Sequence, residues 1–537
     1  MIDFSNTSSY SLSQSMSSTS SRSIRWTLAS ILVAALCLHL WGIQRDLPFT
    51  SDIDEELFVT PAVAMVATGD LNPHWFGHPG STVIYPLTAI YRIWNFVAYY
   101  GPLLRPDPDV RAAFDANFGE FYLLGRLLAV AYAVLSLPLV YALGRRIFNT
   151  RVALIATWLS ALSPVAVAHA QMVRTDSAGT FFTMLSLWLC LRVYEHPTLR
   201  NQLFAGAAIG LAIATRYFMI TLIFVLLVVD AIVLWQQEHQ ANTRKKLWPL
   251  IGVGLLVIAV AFALSTPFFF LDFTAAWQNL RAQDQATHLG ADGLSPAVNF
   301  FWYLTTAIPS AMTWPQAGCA VIGIILSIRA RQILQLVLLA FLVVYVSAIS
   351  LSNLHWERWI IQILPLCALF AAKGLDELAA RLSMRLQSNA VRRPGLVLTL
   401  TALLSAWPLC DVILTDIRAS HSSSRVLARE WMVQHLPAGS RIAQEWYTAP
   451  LAGTGFVVLE SFSLSEKGKV ESYLSEGYRY VVASSAIYGR YFAEPERYSD
   501  QIAFYQDLFT RGRLLQQWEP SLTRGGPVIR IYELADP

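Results

Sequence analysis

Long apolar stretches alternate with short polar ones along this chain as far as residue 414. The first covers residues 24–43, and the series ends with residues 396–414. A helix needs roughly 20 mostly apolar residues to cross a bilayer. The pattern therefore predicts a multi-pass α-helical membrane protein with about 11 transmembrane helices.

The pattern changes near Thr415, where the apolar runs shorten and charge increases. Residues 424–436 and 498–510 have helical patterns, and four short β-rich runs lie among them. These features predict a small α/β domain of about 120 residues. The predicted organisation is a disordered cytoplasmic N-terminus (1–23), a transmembrane catalytic domain (24–414, with a first external loop at 44–120) and an extracytoplasmic domain (415–537).

Basic residues orient the predicted spans, because lysine and arginine concentrate in cytoplasmic loops. Arg22 and Arg25 precede the first span, so the N-terminus is predicted to be cytoplasmic. Arg145 and Arg146 place the end of the next long span on the same side. Residues 83–104 would reverse this pattern if they crossed the membrane, so we expect them to lie at the outer interface.

Composition narrows the function further. Of 537 residues, 55% are hydrophobic and 14% are charged, and the formal net charge of +3 is too small to indicate a nucleic-acid partner. The five cysteines lie in or beside apolar runs without CxxC spacing. They therefore predict neither a disulfide framework nor a zinc site.

Unusual polar residues collect on the predicted outer face. Ionisable groups at membrane depth are costly and indicate function. Asp54 is the leading candidate for a general base, with Glu55 as an alternative and Asp176 to orient or share the role. Arginine offers forked donors to phosphate oxygens. The candidate anion-binding residues are His78, Arg174, Arg216, His355 and Arg358.

Other interpretations of these residues stay open. Asp52 and Asp54 form a DxD pair that a divalent metal could use, and His74 and His78 are four residues apart. Prolines at 73 and 79 break the helix that such a histidine pair needs. A divalent ion is therefore possible but not assigned, and no cofactor is predicted.

The order of these motifs resembles that of the polytopic GT-C glycosyltransferases, in particular the group of protein O-mannosyltransferases and the aminoarabinose transferase of lipid A. Gly80 departs from that pattern, because it replaces the second proline of a Lys/His-Pro-Pro motif. The matching residues are Asp54-Glu55, Gly69-Asp70, His78-Pro79, Asp176, Gly210-Leu211, Thr215-Arg216, Pro267-Phe268, Leu271-Asp272, Arg358 and Pro365.

The resemblance implies a polyprenyl-phosphate-linked sugar donor and transfer on the extracytoplasmic face of the bacterial plasma (inner) membrane. It also implies inversion at the sugar carbon, with Asp54 as the base and the arginine and histidine residues holding the donor phosphate. The expected partners are that donor, membrane lipids and an acceptor lipid, glycan or protein. The alternatives are a transporter or flippase of a lipid-linked glycan, for which broken helices at the bilayer midplane and repeat symmetry are typical, and a noncatalytic scaffold.

Overall fold

The computed structural model describes residues 18–50, 53–100, 109–237, 241–283, 285, 288–291, 294–385 and 393–534. Most of the predicted disordered N-terminus (1–17) lies outside these residues, whereas residues 18–23 already belong to the first helix. Asp52 also lies outside them.

Apolar stretches in the membrane part fold into α-helices around one large apolar core, with a second core among α2 to α5 and smaller clusters elsewhere. The helices are α1 Ser18–Trp41, α2 Ile53–Thr68, α3 Ser81–Tyr100, α4 Val110–Ala116, α5 Phe118–Ile147, α6 Thr150–Ala161, α7 Pro164–Ala170, α8 Thr175–Glu195, α9 Leu199–Thr215, α10 Leu222–Gln236, α11 Ala241–Ser265, α12 Phe268–Leu271, α13 Phe273–Gln283, α14 Pro296–Trp302, α15 Ile308–Met312, α16 Trp314–Ala330, α17 Ile333–Ser350, α18 Leu364–Arg385 and α19 Arg393–Ala419.

Seven helical stretches among the described residues are long and apolar enough to cross a membrane, or nine if each of two bent pairs counts as one span. The chain is an integral membrane protein, and the predicted count of about 11 spans stays a prediction. Helix α3 is not among these stretches. The bent pairs are α6 with α7, at 59°, and residues Pro296–Met312 with α16, at 119°.

Two of the predicted spans begin with tighter helical turns. Tyr217–Thr221 and Glu357–Ile363 are 3-10 helices that lead into α10 and α18. Tyr303–Ala307 is a π-helix between α14 and α15. Short 3-10 turns are common at helix termini, and π-helices are frequent at functional sites. One 3-10 turn directly follows Arg216 and the other contains Arg358, two residues that the sequence analysis singled out.

The C-terminal residues form a five-stranded mixed sheet of order β2-β1-β3-β5-β4. β1 pairs in parallel with β2 and β3, while β5 is antiparallel to β3 and β4. Alternate residues face two apolar layers, one against α20 and one against α22 and α23. The elements are α20 Ser424–His435, β1 Arg441–Glu445, β2 Val457–Ser461, α21 Glu471–Ser475, β3 Tyr480–Ser484, α22 Ser485–Ala493, α23 Ser499–Arg511, β4 Arg513–Trp518 and β5 Ile529–Glu533.

Candidate active site

Chain segments that are far apart in sequence bring the predicted polar residues to one end of the helical bundle. Asp54 and Glu55 lie in the first turn of α2, and His78 lies in the loop before α3. Arg174 and Asp176 begin α8, and Arg216 directly follows α9. Because α8 runs away from this end and α9 returns to it, their polar ends meet. His355 and Arg358 arrive from the segment after α17.

Asp54 lies between two guanidinium groups. Its Oδ2 atom is 2.9 Å from Arg174 Nη2 and 2.6 Å from Arg358 Nη1. The Asp54 side chain remains 37% exposed, whereas those of Arg174 and Arg358 are 11% and 17% exposed. Burial raises the pKa of Asp54, but the two arginines outweigh that effect and hold this pKa below its ordinary value. Asp54 is therefore an ionised carboxylate with one side open to solvent.

Asp176 and Arg216 form a second, fully buried ion pair beside the first. Asp176 lies in the first turn of α8, where the helix dipole stabilises negative charge, and Arg216 caps the C-terminus of α9, where it stabilises positive charge. The side-chain amide of Gln362 lies within reach of both partners. In one orientation its Nε2 atom is 3.5 Å from Asp176 Oδ1. With the amide turned by 180°, its oxygen instead accepts a hydrogen bond from Arg216 Nη1 at 2.8 Å.

Three arginines and two carboxylates thus make up this ionic network. Arg174, Arg216 and Arg358 face Asp54 and Asp176, so the network holds one more positive than negative charge. A partly buried site with excess positive charge favours an anion. Guanidinium groups bind phosphate, as they bind carboxylate, in bidentate geometry.

Glu55 occupies different surroundings from its neighbour Asp54. Arg126 Nε and Nη2 donate to its two carboxylate oxygens at 2.9 and 2.8 Å, and the Val173 N–H donates to Oε1 at 2.9 Å. Both side chains are fully buried. The remaining Arg126 donor, Nη1, bonds the carbonyls of Ile43 and Arg45. Glu55 therefore fastens α2 to α5 and to the start of α8, and it has no access to solvent.

His78 is set beside the ionic network by a tight loop. Gly80 adopts a φ of +60°, which favours glycine, and its N–H donates to the carbonyl of Thr215, next to Arg216. Thr82 and Thr215 are joined by a 2.7 Å hydrogen bond between their hydroxyls. Burial, reinforced by Arg216 and Arg358, lowers the pKa of His78 to about 3. His78 is therefore a neutral imidazole at pH 7.

His355 and Arg358 lie among aromatic rings. His355 packs edge-on against Trp302 with 4.2 Å between ring centroids. The Arg358 guanidinium lies 5.0 Å from the centre of the Trp356 ring, within cation–π range. Arg358 contacts Asp54 directly.

Sequence reasoning missed three polar residues of this region. His169 donates from Nδ1 to the Val165 carbonyl at 2.9 Å and interacts electrostatically with Asp176 and Arg174. Gln362 bonds the Asp176–Arg216 pair, and Arg126 pairs with Glu55. Arg126 had a detectable signal, since it is an arginine inside an apolar run. A lone His or Gln in such a run gives a weaker one.

The two histidines considered as metal ligands, His74 and His78, lie in different surroundings. His74 Nε2 is 3.2 Å from Asp70 Oδ2, and its Nδ1 is 3.9 Å from Asp272 Oδ2, at an exposed position. Within the described part of the chain, no three His, Cys, Asp or Glu side chains converge as metal ligands. His78 lies with the arginines rather than with His74.

Known proteins resemble this chain in sequence and in fold. Residues 115–265 match the family model of dolichyl-phosphate-mannose-protein mannosyltransferases. Undecaprenyl phosphate-alpha-4-amino-4-deoxy-L-arabinose arabinosyl transferase 1 of Pseudomonas fluorescens is 26% identical over 450 residues, covering 81% of this chain and 75% of the relative.

A solved structure shows the same architecture. ArnT from Cupriavidus metallidurans in the apo state is similar over 95% of this chain and 98% of its own, with 16% identity and a TM-score of 0.53. The same protein bound to undecaprenyl phosphate is similar over 94% and 98%, with a TM-score of 0.49. The chain is thus an integral membrane protein with the fold of the polytopic GT-C glycosyltransferases, and the resemblance indicated by its sequence motifs is confirmed.

Proposed function

We propose that this protein transfers a sugar from a polyprenyl-phosphate-linked donor to an acceptor. The observation that carries the proposal is the exposed Asp54 carboxylate held between Arg174 and Arg358, with Asp176 and Arg216 beside it. The relative from Pseudomonas fluorescens is named for an undecaprenyl-phosphate-linked aminopentose, and the matching family model for a dolichyl-phosphate-linked mannose. The arginine-rich network suits the phosphate that both donors share.

In the proposed reaction, an acceptor hydroxyl or amine attacks the anomeric carbon from the face opposite the phosphate. A bond forms between that carbon and the acceptor atom, and the bond from the carbon to the phosphate oxygen breaks. The acceptor proton passes to Asp54, and the bonding electrons leave with the polyprenyl phosphate. The configuration at the sugar carbon is therefore inverted.

The arginines have two roles in this proposal. Before the donor binds, Arg174 and Arg358 keep Asp54 ionised but weakly basic, because they lower its pKa. A donor phosphate that shares these guanidinium groups takes part of their charge, so the pKa of Asp54 rises and the carboxylate becomes a better base. The same guanidinium groups then stabilise the charge that develops on the leaving phosphate.

The remaining candidates support this centre. Asp176 holds Arg216 in a fixed position for a phosphate oxygen, and neutral His78 supplies a hydrogen bond rather than a charge. His355 packs against Trp302 in the same segment as Arg358 and remains a candidate contact for the donor phosphate. Glu55 anchors the helix that carries Asp54, so we assign it no part in proton transfer.

We further propose that the site faces the extracytoplasmic side, with the N-terminus in the cytoplasm and residues 415–537 forming an external domain. Residues 24–414 would then form the catalytic membrane domain. Two contacts support a common side for the site and the C-terminal domain: Arg425 Nη1 donates to the Thr50 carbonyl, and the Ser423 N–H donates to Asp46 Oδ1. Both acceptors lie in the loop that leads to Asp54.

The direct test replaces Asp54 with Asn in the full-length protein reconstituted into lipid. We expect a loss of transfer of about 100- to 10,000-fold, the usual contribution of a positioned general base. Glu56→Gln is the matched control, because Glu56 is an exposed carboxylate in the same helical turn. Transfer from undecaprenyl-phosphate-linked sugars to lipid and peptide acceptors is followed by mass spectrometry.

An Asp54→Asn variant that matches Glu56→Gln in transfer rate contradicts the role proposed for Asp54. The transporter alternative predicts something different: movement of a lipid-linked glycan across the bilayer with no change in its covalent structure. The similarity to glycosyltransferases does not favour that alternative.

A further inference from the structure

Residues 288–291, named here the bridge segment, lie between the C-terminal domain and the candidate active site. They connect the regions of α13 and α14 in the chain. Leu289 packs against the apolar core of the C-terminal domain, and Ala291 is almost fully buried. The bridge segment therefore belongs to the membrane part by sequence and is held by the C-terminal domain in space.

Arg490 of α22 fixes the domain side of this contact. Its Nη1 atom donates to the Leu289 carbonyl at 3.1 Å, and its guanidinium lies 5.6 Å from the centre of the Tyr447 ring. Gly290 has a φ of +76°, and a Cβ atom built there would lie 3.1 Å from Arg490 Cδ. The arginine stem therefore lies against the backbone at a position where a larger residue meets both strain and contact.

The other side of the bridge segment touches the active-site loop. The His355 N–H donates to the Ala291 carbonyl at 3.1 Å. The His288 ring packs edge-on against Trp356 at 5.1 Å and faces Phe462 of the C-terminal domain at 6.4 Å. Trp356 in turn lies under Arg358, which contacts Asp54.

The C-terminal domain thus reaches both partners of the Asp54–Arg358 pair. It reaches the Arg358 side through the bridge segment. It reaches the Asp54 side through the loop before α2, where Arg429 lies 4.6 Å from the centre of the Phe49 ring. The Arg358 side chain packs on the Trp356 ring, as long arginine side chains do on apolar surfaces. Its position therefore depends on that ring and on the backbone of residues 355–356.

We propose that the C-terminal domain positions Arg358 against Asp54 through the bridge segment, with Arg490 as the positioning residue. This inference rests on the proposed function, because it takes Arg358 to hold the donor phosphate. Arg490 itself touches neither Asp54 nor Arg358 in the contacts described. Its effect is to fix the bridge segment, which fixes His355 and Trp356.

The test compares four full-length variants in lipid nanodiscs: Arg490→Ala, Arg490→Lys, Gly290→Ala and Arg441→Ala. Arg441 is the matched control, because its guanidinium also lies against a tyrosine ring (Tyr478, 4.7 Å). It begins strand β1, whereas Tyr447, the ring partner of Arg490, follows the end of that strand. The readouts are KM and kcat with an undecaprenyl-phosphate-linked sugar, the melting temperature, and amide hydrogen exchange of residues 353–358. The His355 amide reports directly on the bond to Ala291.

We expect Arg490→Ala and Gly290→Ala to raise KM for the donor roughly tenfold, because small displacements of positioned groups cost about this much or more. We expect kcat to change less, and exchange at residues 353–358 to accelerate. We expect donor KM and hydrogen exchange of Arg490→Lys to lie between those of the parent and of Arg490→Ala, because the lysine ammonium can still donate to the Leu289 carbonyl. Arg441→Ala leaves both readouts unchanged.

Arg490→Ala and Gly290→Ala variants that match Arg441→Ala in donor KM and in exchange overturn the inference, whatever their melting temperatures. If the parent protein transfers no sugar, the proposed function fails separately. The inference is then decided by exchange at residues 353–358 and by the affinity for undecaprenyl phosphate alone: unchanged values for Arg490→Ala overturn it, and faster exchange with weaker binding supports it.

Discussion

At the scale of single residues, Asp54 and Glu55 show how much one step along a helix changes. Successive side chains on an α-helix point about 100° apart. Asp54 therefore opens toward solvent between two arginines, whereas Glu55 points into the bundle against Arg126. The sequence predicted an acidic doublet at the site. Which of the two carboxylates faces solvent depends on Arg126, which lies 71 residues from Glu55 in the chain and binds it inside the bundle.

Stability should separate the two carboxylates. Glu55→Gln leaves the Arg126 charge buried without its counterion, so we expect a loss of about 3–5 kcal/mol in the free energy of unfolding. Thermal unfolding of the full-length protein in detergent measures this loss. Asp54→Asn should cost less, because the Asp54 side chain is 37% exposed and solvent screens the two arginines it leaves behind. The double variant Glu55→Met with Arg126→Met should recover much of the loss, and failure of that recovery counts against a purely electrostatic cause.

Glu445 predicts a pH dependence of the C-terminal domain. The carboxyl is fully buried, with Tyr505 Oη, the Ser484 N–H and the Leu464 N–H around it. Burial raises the pKa of Glu445 from 4.5 to about 8, although these hydrogen bonds act in the opposite direction. The folded domain therefore favours the neutral acid. The stability it contributes is complete below pH 4.5 and is lost as the pH rises to about 8.

The expected slope is at most about 1.4 kcal/mol per pH unit for one group. Hydrogen exchange of the β1 amides in the full-length protein, corrected for intrinsic rates, should show falling protection from pH 5 to pH 8. Glu445→Gln imitates the neutral acid, so it should flatten this dependence. A parent protein whose β1 protection does not change across that range contradicts the assignment.

At the scale of helices and strands, the apolar runs predict where helices lie, but they do not predict where a helix breaks or tightens. The apolar run at residues 152–168 predicts one span, yet the helix breaks at residues 162–163, where Ser163 caps a new helix that starts with Pro164. The apolar run at residues 218–235 begins within a 3-10 turn. The four β-rich runs of the sequence (441–444, 478–484, 513–518 and 528–533) do not include strand β2, because this short edge strand is only partly buried and has no clear alternation.

Helices α16 and α18 pack at a contact that only glycine permits. A Cβ atom on Gly323 would lie 1.9 Å from the Phe370 carbonyl oxygen, and one on Gly374 would lie 2.0 Å from that of Cys319. Both obstacles are backbone atoms, so they cannot move aside cheaply. We expect Gly323→Ala and Gly374→Ala each to cost roughly 1–3 kcal/mol or more, as overpacking does.

Gly318 supplies the control for this prediction. It lies in α16, and a Cβ atom there meets nothing within 4 Å. Gly318→Ala should therefore be neutral or stabilising by up to about 1 kcal/mol, because alanine favours helices. Thermal unfolding of the three variants in the same detergent decides the matter: equal melting temperatures contradict a backbone-to-backbone contact at Gly323 and Gly374.

At the scale of the whole molecule, charge and hydropathy predicted the class of fold, and the order of motifs predicted the related proteins. They could not predict which residues meet, since Asp54 and Arg358 are 304 positions apart. They also gave no sign that the C-terminal domain contacts the loops on both sides of this pair. Such contacts depend on tertiary packing, and one sequence carries no periodic signal for them.

Sidedness is a prediction for the molecule as a whole. Cysteines introduced at Glu496 and at His196 provide reporters, because both positions are exposed. Glu496 lies in the C-terminal domain, and His196 lies between α8 and α9 at the end opposite the site. A membrane-impermeant maleimide applied from outside should label Glu496→Cys and spare His196→Cys. The reverse labelling pattern contradicts the proposed orientation.

The buried pair of Glu55 and Arg126 also has a consequence for biogenesis. Arg126 lies in the first third of α5, and an arginine in a membrane helix costs up to about 2.5–3.5 kcal/mol during insertion by the translocon, the value at the helix centre. The ribosome synthesises Glu55 first, so its counterion has already emerged when α5 inserts. The carboxylate of Glu55 is therefore present before Arg126 is inserted. A chain without Glu55 must insert α5 while the Arg126 charge has lost this partner.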